Sequence, residues 1–259
     1  MRRPAKLLLA LAAAAIAAVP VSARKKAAAV ITSAADLDGK RIGVQGGTTG
    51  ETYVQEHFSR AKISSFKSGM DAALDLMNGQ IDVIVLDELP ARQIVSRNKK
   101  LQILDIQFAK EQYSIAVKKG NSQLLDSINA AISELKENGG YEALVSAFMG
   151  ADGIIRIPPD EQLSGRPLRL GTNAAFPPFE YVEGSRIVGF DISMGQKIAG
   201  KAGRSLEIVD MSFDSLIPAL SSGAIDFIAA GMSVTEERRK NVDFSQPYFT
   251  SNQVIIVRK

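Results

Sequence analysis

A ten-residue pattern occurs twice in this chain, and it limits the folds open to it. Residues 76–85 read Leu-Met-Asn-Gly-Gln-Ile-Asp-Val-Ile-Val, and residues 220–229 read Leu-Ser-Ser-Gly-Ala-Ile-Asp-Phe-Ile-Ala. In both, a helix-like stretch runs into glycine, the residue that accepts a left-handed helix cap. Ile-Asp then opens an apolar run with the length of a buried strand. Around these copies the same alternation continues. Strands are expected at 41–45, 63–66, 81–86, 101–106 and 113–117, and helices at 51–58, 68–78, 88–98, 121–138 and 140–148. The pattern breaks at 151–167, where Gly153, Pro158, Pro159, Gly165 and Pro167 predict a linker. It restarts with strands at 168–171, 206–209, 225–230 and 253–257 and helices at 191–201 and 215–222. Such alternation implies an α/β fold with mostly parallel sheets covered by helices on both faces. Two related lobes are expected, over 24–112 and 113–259.

Composition removes several kinds of chemistry. Cysteine is absent and His57 is the single histidine. A disulfide scaffold, thiolate metal sites and cysteine nucleophiles are excluded, and one histidine gives no His–His metal motif and no support for a Ser-His-Asp triad. No metal and no cofactor are expected. The first 23 residues read as an export signal: Arg2, Arg3 and Lys6, an apolar run over 7–19, then Val21-Ser22-Ala23 with small residues where a signal peptidase cuts. That run is 13 residues long, against about 20 needed to span a bilayer; a retained anchor is the alternative. Cleavage near Ala23 leaves 28 basic and 28 acidic residues, so nothing in the charge points to nucleic acid.

Ligands of open α/β sheets sit beyond the carboxyl ends of the strands. The polar residues there suit a small zwitterion. Arg238 offers a planar fork to a carboxylate, with Ser233 and an N-cap at Thr235 nearby; pairing with Glu236 or Asp243 is the competing reading. Asp87 is an acceptor for an ammonium group, or else the N-cap of the next helix. Thr48 and Thr49 lie in a Gly-rich turn that lacks the lysine of a phosphate-binding loop. Gln45, Asn173, Phe176 and Phe213 complete the candidate set, the rings as apolar walls or as ordinary core.

These segments carry a resemblance. Gly171-Thr-Asn-Ala-Ala-Phe-Pro-Pro-Phe-Glu-Tyr181, Ile187-Val-Gly-Phe-Asp-Ile192, Phe213-Asp-Ser-Leu-Ile-Pro-Ala-Leu220, Ala230-Gly-Met-Ser-Val-Thr-Glu-Glu-Arg238 and Val242-Asp-Phe-Ser-Gln-Pro-Tyr-Phe249 resemble the polar amino-acid solute-binding proteins of ABC importers. Gly43-Val-Gln-Gly-Gly-Thr-Thr-Gly50 and Ile81-Asp-Val-Ile-Val-Leu-Asp87 are similar to that family's second lobe. The resemblance implies a two-lobed periplasmic-binding-protein fold (type II). It also implies circular permutation, because the block at 168–259 normally precedes the block at 31–150. Residues 151–167 then join the old chain ends, and one covalent crossing between lobes is expected, around 107–112.

By the same resemblance Arg238 clamps the ligand α-carboxylate with Ser233, Thr48 and Thr49. Asp87 and the Gly231 carbonyl take the α-ammonium, and Asn173, Phe176, Phe213 and Gln45 meet the side chain. Asn173 stands where many lysine- or ornithine-binding relatives have an acid. The implied protein is a periplasmic monomer that binds a polar L-amino acid of glutamine or arginine size and delivers it to an ABC importer permease, with no enzymatic step. Two alternatives share the fold: a cyclohexadienyl-dehydratase-like enzyme, with Glu88 as general acid, and an amino-acid sensory module.

Overall fold

The computed structural model describes residues 31–259; the expected export signal lies outside the described residues. The chain opens with β1 (Arg41–Gln45), α1 (Thr49–His57), β2 (Lys62–Phe66), α2 (Gly69–Met77), β3 (Val83–Asp87), α3 (Glu88–Arg97) and the long β4 (Leu101–Tyr113). The starts of α1 and α2 have a local cause. Thr48 and Ser68 accept backbone N–H bonds from Glu51 and Asp71, as N-caps do. Helix α2 then buries Ala72, Ala73 and Leu76 on one face. Strand β3 is buried at every position, which is why it reads as an unbroken apolar run.

The chain then crosses into a second sheet. There it makes β5 (Ala116–Lys118), α4 (Ser122–Glu137), α5 (Gly140–Met149), β6 (Pro167–Thr172), the small strands β7 (Ala175–Phe176), β8 (Glu180–Glu183) and β9 (Arg186–Val188), α6 (Phe190–Lys201), β10 (Ser205–Asp210), α7 (Leu216–Ser222), β11 (Phe227–Ile228), α8 (Glu236–Arg239) and β12 (Val242–Phe244). Strand β13 (Phe249–Arg258) ends the chain. The sheets run β2-β1-β3-β13-β4 and β10-β6-β11-β5-β12, and β7-β8-β9 form a third. Segment 151–167 connects α5 to β6, and nearly all of it is irregular.

The repeated Ile-Asp does the same work in both lobes. Asp82 takes the Arg41 backbone N–H and guanidinium at 3.0, 3.1 and 2.6 Å. Asp226 takes those of Arg169 at 2.8, 3.2 and 2.9 Å. In each lobe the entry to the strand after the helix is thereby fastened to a neighbouring strand, β1 in the first lobe and β6 in the second.

Two expectations are corrected. Residues 249–258 do not join the rest of 113–259; β13 lies antiparallel between β3 and β4 in the first sheet. The buried run Val254-Ile255-Ile256 needs a strand on each side, and only the first sheet supplies both. Residues 107–112 are not a crossing but part of β4. The lobes are joined by two crossings, at 114–115 and 245–248. They run side by side, with Ser245 N–H donating to Ile115 O and Tyr248 N–H to Tyr113 O, both at 2.9 Å. Around them Tyr113, Phe179, Phe190, Tyr248 and Phe249 pack ring on ring, so an apolar core continues from one lobe to the other.

Candidate functional site

The cleft lies where the strands of both sheets end. Nine of the ten sequence-predicted residues line it: Gln45, Thr48, Thr49, Asp87, Phe176, Phe213, Gly231, Ser233 and Arg238. The tenth, Asn173, stands beside them and accepts a 3.0 Å bond from Gln45 Nε2. The first lobe supplies Gln45, Thr48, Thr49 and Asp87. The second supplies Phe176, Phe213, Gly231, Ser233 and Arg238.

Asp87 holds the N-cap position of α3, yet its side chain does not cap the helix. It turns inward and accepts a bond from the Tyr113 hydroxyl. Burial, and then the neighbouring Glu111, push its carboxyl up to about 7. An acid placed this way gains by meeting a cation. Arg238 is not paired with Glu236 or Asp243. Its guanidinium donates to Ser233 O at 2.7 Å and Gly47 O at 2.9 Å, and it lies 5.3 Å from the centre of the Phe213 ring. Burial lowers its pKa, partly offset by the charges of Glu111 and Asp87. The Thr235 N-cap accepts the Arg238 N–H at 3.1 Å, which fixes the short helix that presents the fork.

Gly231 has φ +55°, and a Cβ there would come within 2.8 Å of the Phe176 ring, so glycine is required. Its N–H donates to Asp191 Oδ2 at 2.8 Å, and the Tyr248 hydroxyl donates to the same oxygen at 2.6 Å. The Thr48 hydroxyl donates to Gln45 O at 2.7 Å, closing the turn between β1 and α1. Segment 232–234 pairs with 112–114, which brings Ser233 to the first lobe.

Two acids of the cleft were not assigned a role from sequence. Glu111, on β4, accepts bonds from the Ser233 hydroxyl and from Gln253 Nε2, the latter at 3.1 Å. Glu180, at the start of β8, is fully buried, lines the cleft, and is held well above the usual carboxylate range by burial and by Asp191. While both are ionised, neither Glu180 oxygen nor Asp191 Oδ1 has a partner. A proton on Glu180 resolves this, since the acid then donates to Asp191. Glu180 lay inside a motif read from the sequence, but only its burial marks it; Glu111 lay in a stretch read as a connection.

The enclosed space is about 10 Å³, room for about one water molecule and not for an amino acid. An open groove of about 1210 Å³ adjoins it and shares Thr49, Glu111, Phe213, Ser233 and Arg238. The lobes must part at the contacts Gln45–Asn173, Ser233–Glu111 and Arg238–Gly47 before a ligand enters. Among the described residues no cluster of three or more metal-ligating side chains occurs.

Residues 168–259 match the family model Bacterial extracellular solute-binding proteins, family 3, and residues 4–125 match a model described as NMT1/THI5 like. The "Arginine-binding extracellular protein ArtP" of Bacillus subtilis is 48% identical over 36% of this chain and 37% of its own length. The "L-cystine-binding protein TcyJ" of Escherichia coli is 32% identical over 47% of this chain and 46% of its own. Among solved structures, the arginine-bound form of domain 1 from TmArgBP is 48% identical over 36% of this chain and 80% of that one, with a TM-score of 0.32. The chain thus spans between a third and a half of the curated relatives named here. On the sequence matches, the likeness to the bacterial extracellular solute-binding proteins, family 3, holds for residues 168–259.

Proposed function

We propose that this protein binds a polar L-amino acid, with a side chain of glutamine or arginine size, in the cleft between its lobes. The carrying observation is the placement of Asp87 and Arg238 on opposite lobes of one closed cleft. A buried zwitterion must have both charges paired, because each unpaired ion costs several kcal/mol. Arg238 meets the carboxylate and Asp87 the ammonium, helped by Ser233, Thr48, Thr49 and the Gly231 carbonyl. Phe176, Phe213, Gln45 and Asn173 face the side chain. Both charges are met only when the lobes are together, so the ligand favours closure.

Relatives named for arginine, histidine and cystine support a polar amino acid and delivery of it to an ABC importer from outside the inner membrane. The export signal over 1–23 fits that location, and a monomer fits a two-lobed binder. The match of 168–259 to the family model, with the other block ahead of it, supports the reading that the chain is circularly permuted. Glu88 is drawn to Arg92 at 2.6 Å and Asn252 at 3.2 Å, which favours binding over a dehydratase role.

Titration calorimetry with the twenty L-amino acids tests the reading. One or a few polar ligands should bind, and Arg238→Ala should lose about 2–5 kcal/mol of affinity with its melting curve unchanged. Arg238→Lys should also bind poorly, since an ammonium cannot reproduce the fork. Near-native affinity in Arg238→Ala would remove Arg238 from the site.

A further inference from the structure

The cleft holds more acid than a zwitterion uses. Asp87 and Arg238 suffice for the ammonium and the carboxylate. Glu180 is left over: it lines the cleft, is fully buried, and neither of its oxygens accepts a bond from a donor. The charged groups acting on it are Asp191 from α6, Asp210 at the end of β10 and Asp87 at the end of β3. All three are acids. Tyr248, behind Asp191, is a neutral phenol whose ionisation burial opposes. Arg238 lines the same cleft but spends its fork on Ser233 O and Gly47 O. A carboxyl in such company keeps its proton until a cation arrives.

We propose that Glu180 is a proton-exchanging binding residue: a ligand with a positively charged side chain enters as Glu180 gives its proton to solvent, and the new carboxylate pairs with that charge. Resting on the amino-acid reading above, this names its ligand class, a cationic amino acid, and adds a linkage. The proton leaves the Glu180 carboxyl for the buffer, one ligand charge enters, and the cleft's charge is balanced. A neutral ligand of the same shape leaves Glu180 protonated. The phenylalanine faces of Phe176 and Phe213 suit a flat guanidinium in the same space. The neutral Asn173 then poses no difficulty, because the acid that meets the side chain comes from β8 instead.

Asp87 complicates a simple pH experiment. Its own raised carboxyl gives a proton to the buffer when any α-ammonium pairs with it, so every amino acid shows some release. A matched pair of ligands separates the two acids. L-arginine and L-citrulline have nearly the same shape and the same α-groups, and only arginine carries a side-chain charge.

The test is calorimetry at pH 7 in buffers of different ionisation enthalpy, which counts protons released per ligand bound. Arginine should release up to one proton more than citrulline. Its affinity should rise with pH more steeply, by up to about tenfold per unit. Glu180→Gln should abolish the excess and bring the two ligands to the same proton count. Equal counts in the wild-type protein overturn the proposal while the amino-acid reading stands, and this comparison does not depend on whether Glu180→Gln folds. An excess that persists in a folded Glu180→Gln also overturns it. Absence of binding by every amino acid overturns the parent reading, and the proposal with it.

Discussion

At the scale of single residues, the cleft is built from groups held out of their ordinary ionisation range. Asp87 is pushed up to about 7, Asp191 to about 6, and Glu180 well above its usual range, all chiefly by burial. Paired acids such as Asp82 and Asp226 are shifted down, beside Arg41 and Arg169. The sign of the pH dependence follows. Between about pH 4 and 7 the folded chain holds protons on the raised acids that the unfolded chain has lost, so stability falls as pH rises through that window. The lowered acids are ionised in both states above pH 5 and contribute no slope there. The ligand-free protein should therefore melt several degrees lower at pH 8 than at pH 5, and Asp87→Asn should flatten part of the decline. Differential scanning calorimetry across that range decides it; a melting point that climbs towards pH 8 would contradict the burial of these acids. Arg238 and Asp87 were legible in the sequence because they stand just beyond apolar strands. Glu180 and Glu111 were not, since nothing local distinguishes a buried acid from a solvated one.

At the scale of elements, local signals translated well wherever a neighbour in sequence decides the geometry. Thr48, Ser68 and Thr235 cap the helices that follow them, and both Ile-Asp copies fasten a strand to its neighbour. Strand β13 was misplaced because its partners lie some 140–170 residues away in β3 and β4, and pairing over that distance leaves no local mark. Helix α6 shows how an element carries the site. Gly189 precedes it at φ +140°, and a Cβ there would lie 2.1 Å from Phe179 O, a backbone atom that no side-chain rotation can move aside. Two residues on, Asp191 holds the Gly231 N–H. Gly189→Ala should therefore cost more than about 2 kcal/mol and also loosen the Gly231 turn. Denaturant unfolding and ligand titration on the same preparation would show both effects; loss of stability with affinity intact would separate α6 from the cleft.

At the scale of the whole molecule, the two lobes differ in what each needs from the rest of the chain. The second sheet, β10-β6-β11-β5-β12, is complete within residues 114–248. The first is not complete within 31–113, because β13 fills the place between β3 and β4. Without β13 those two strands have no common partner, and the inner faces of Ile84, Val85 and Leu101 lose the buried Val254, Ile255 and Ile256. Burying one such side chain stabilises by about 1.5–3 kcal/mol, and net stabilities are only about 5–15 kcal/mol, so three together approach the whole margin. A chain ending at Tyr248 should keep a folded second lobe and lose the first. Residues 114–248 expressed alone should give dispersed NMR spectra and a cooperative melt, while 31–113 alone should give neither. In the chain ending at Tyr248, amide exchange should stay slow in α4, α6 and β6 and become fast in α2, β1 and β3. Adding the 249–259 peptide in trans should restore protection in the first lobe, since a missing central strand has defined edges on both sides. Slow exchange throughout β1 and β3 without residues 249–259 would mean that β13 only lies on that sheet and does not hold it together, and the double crossing would then be a property of the hinge alone.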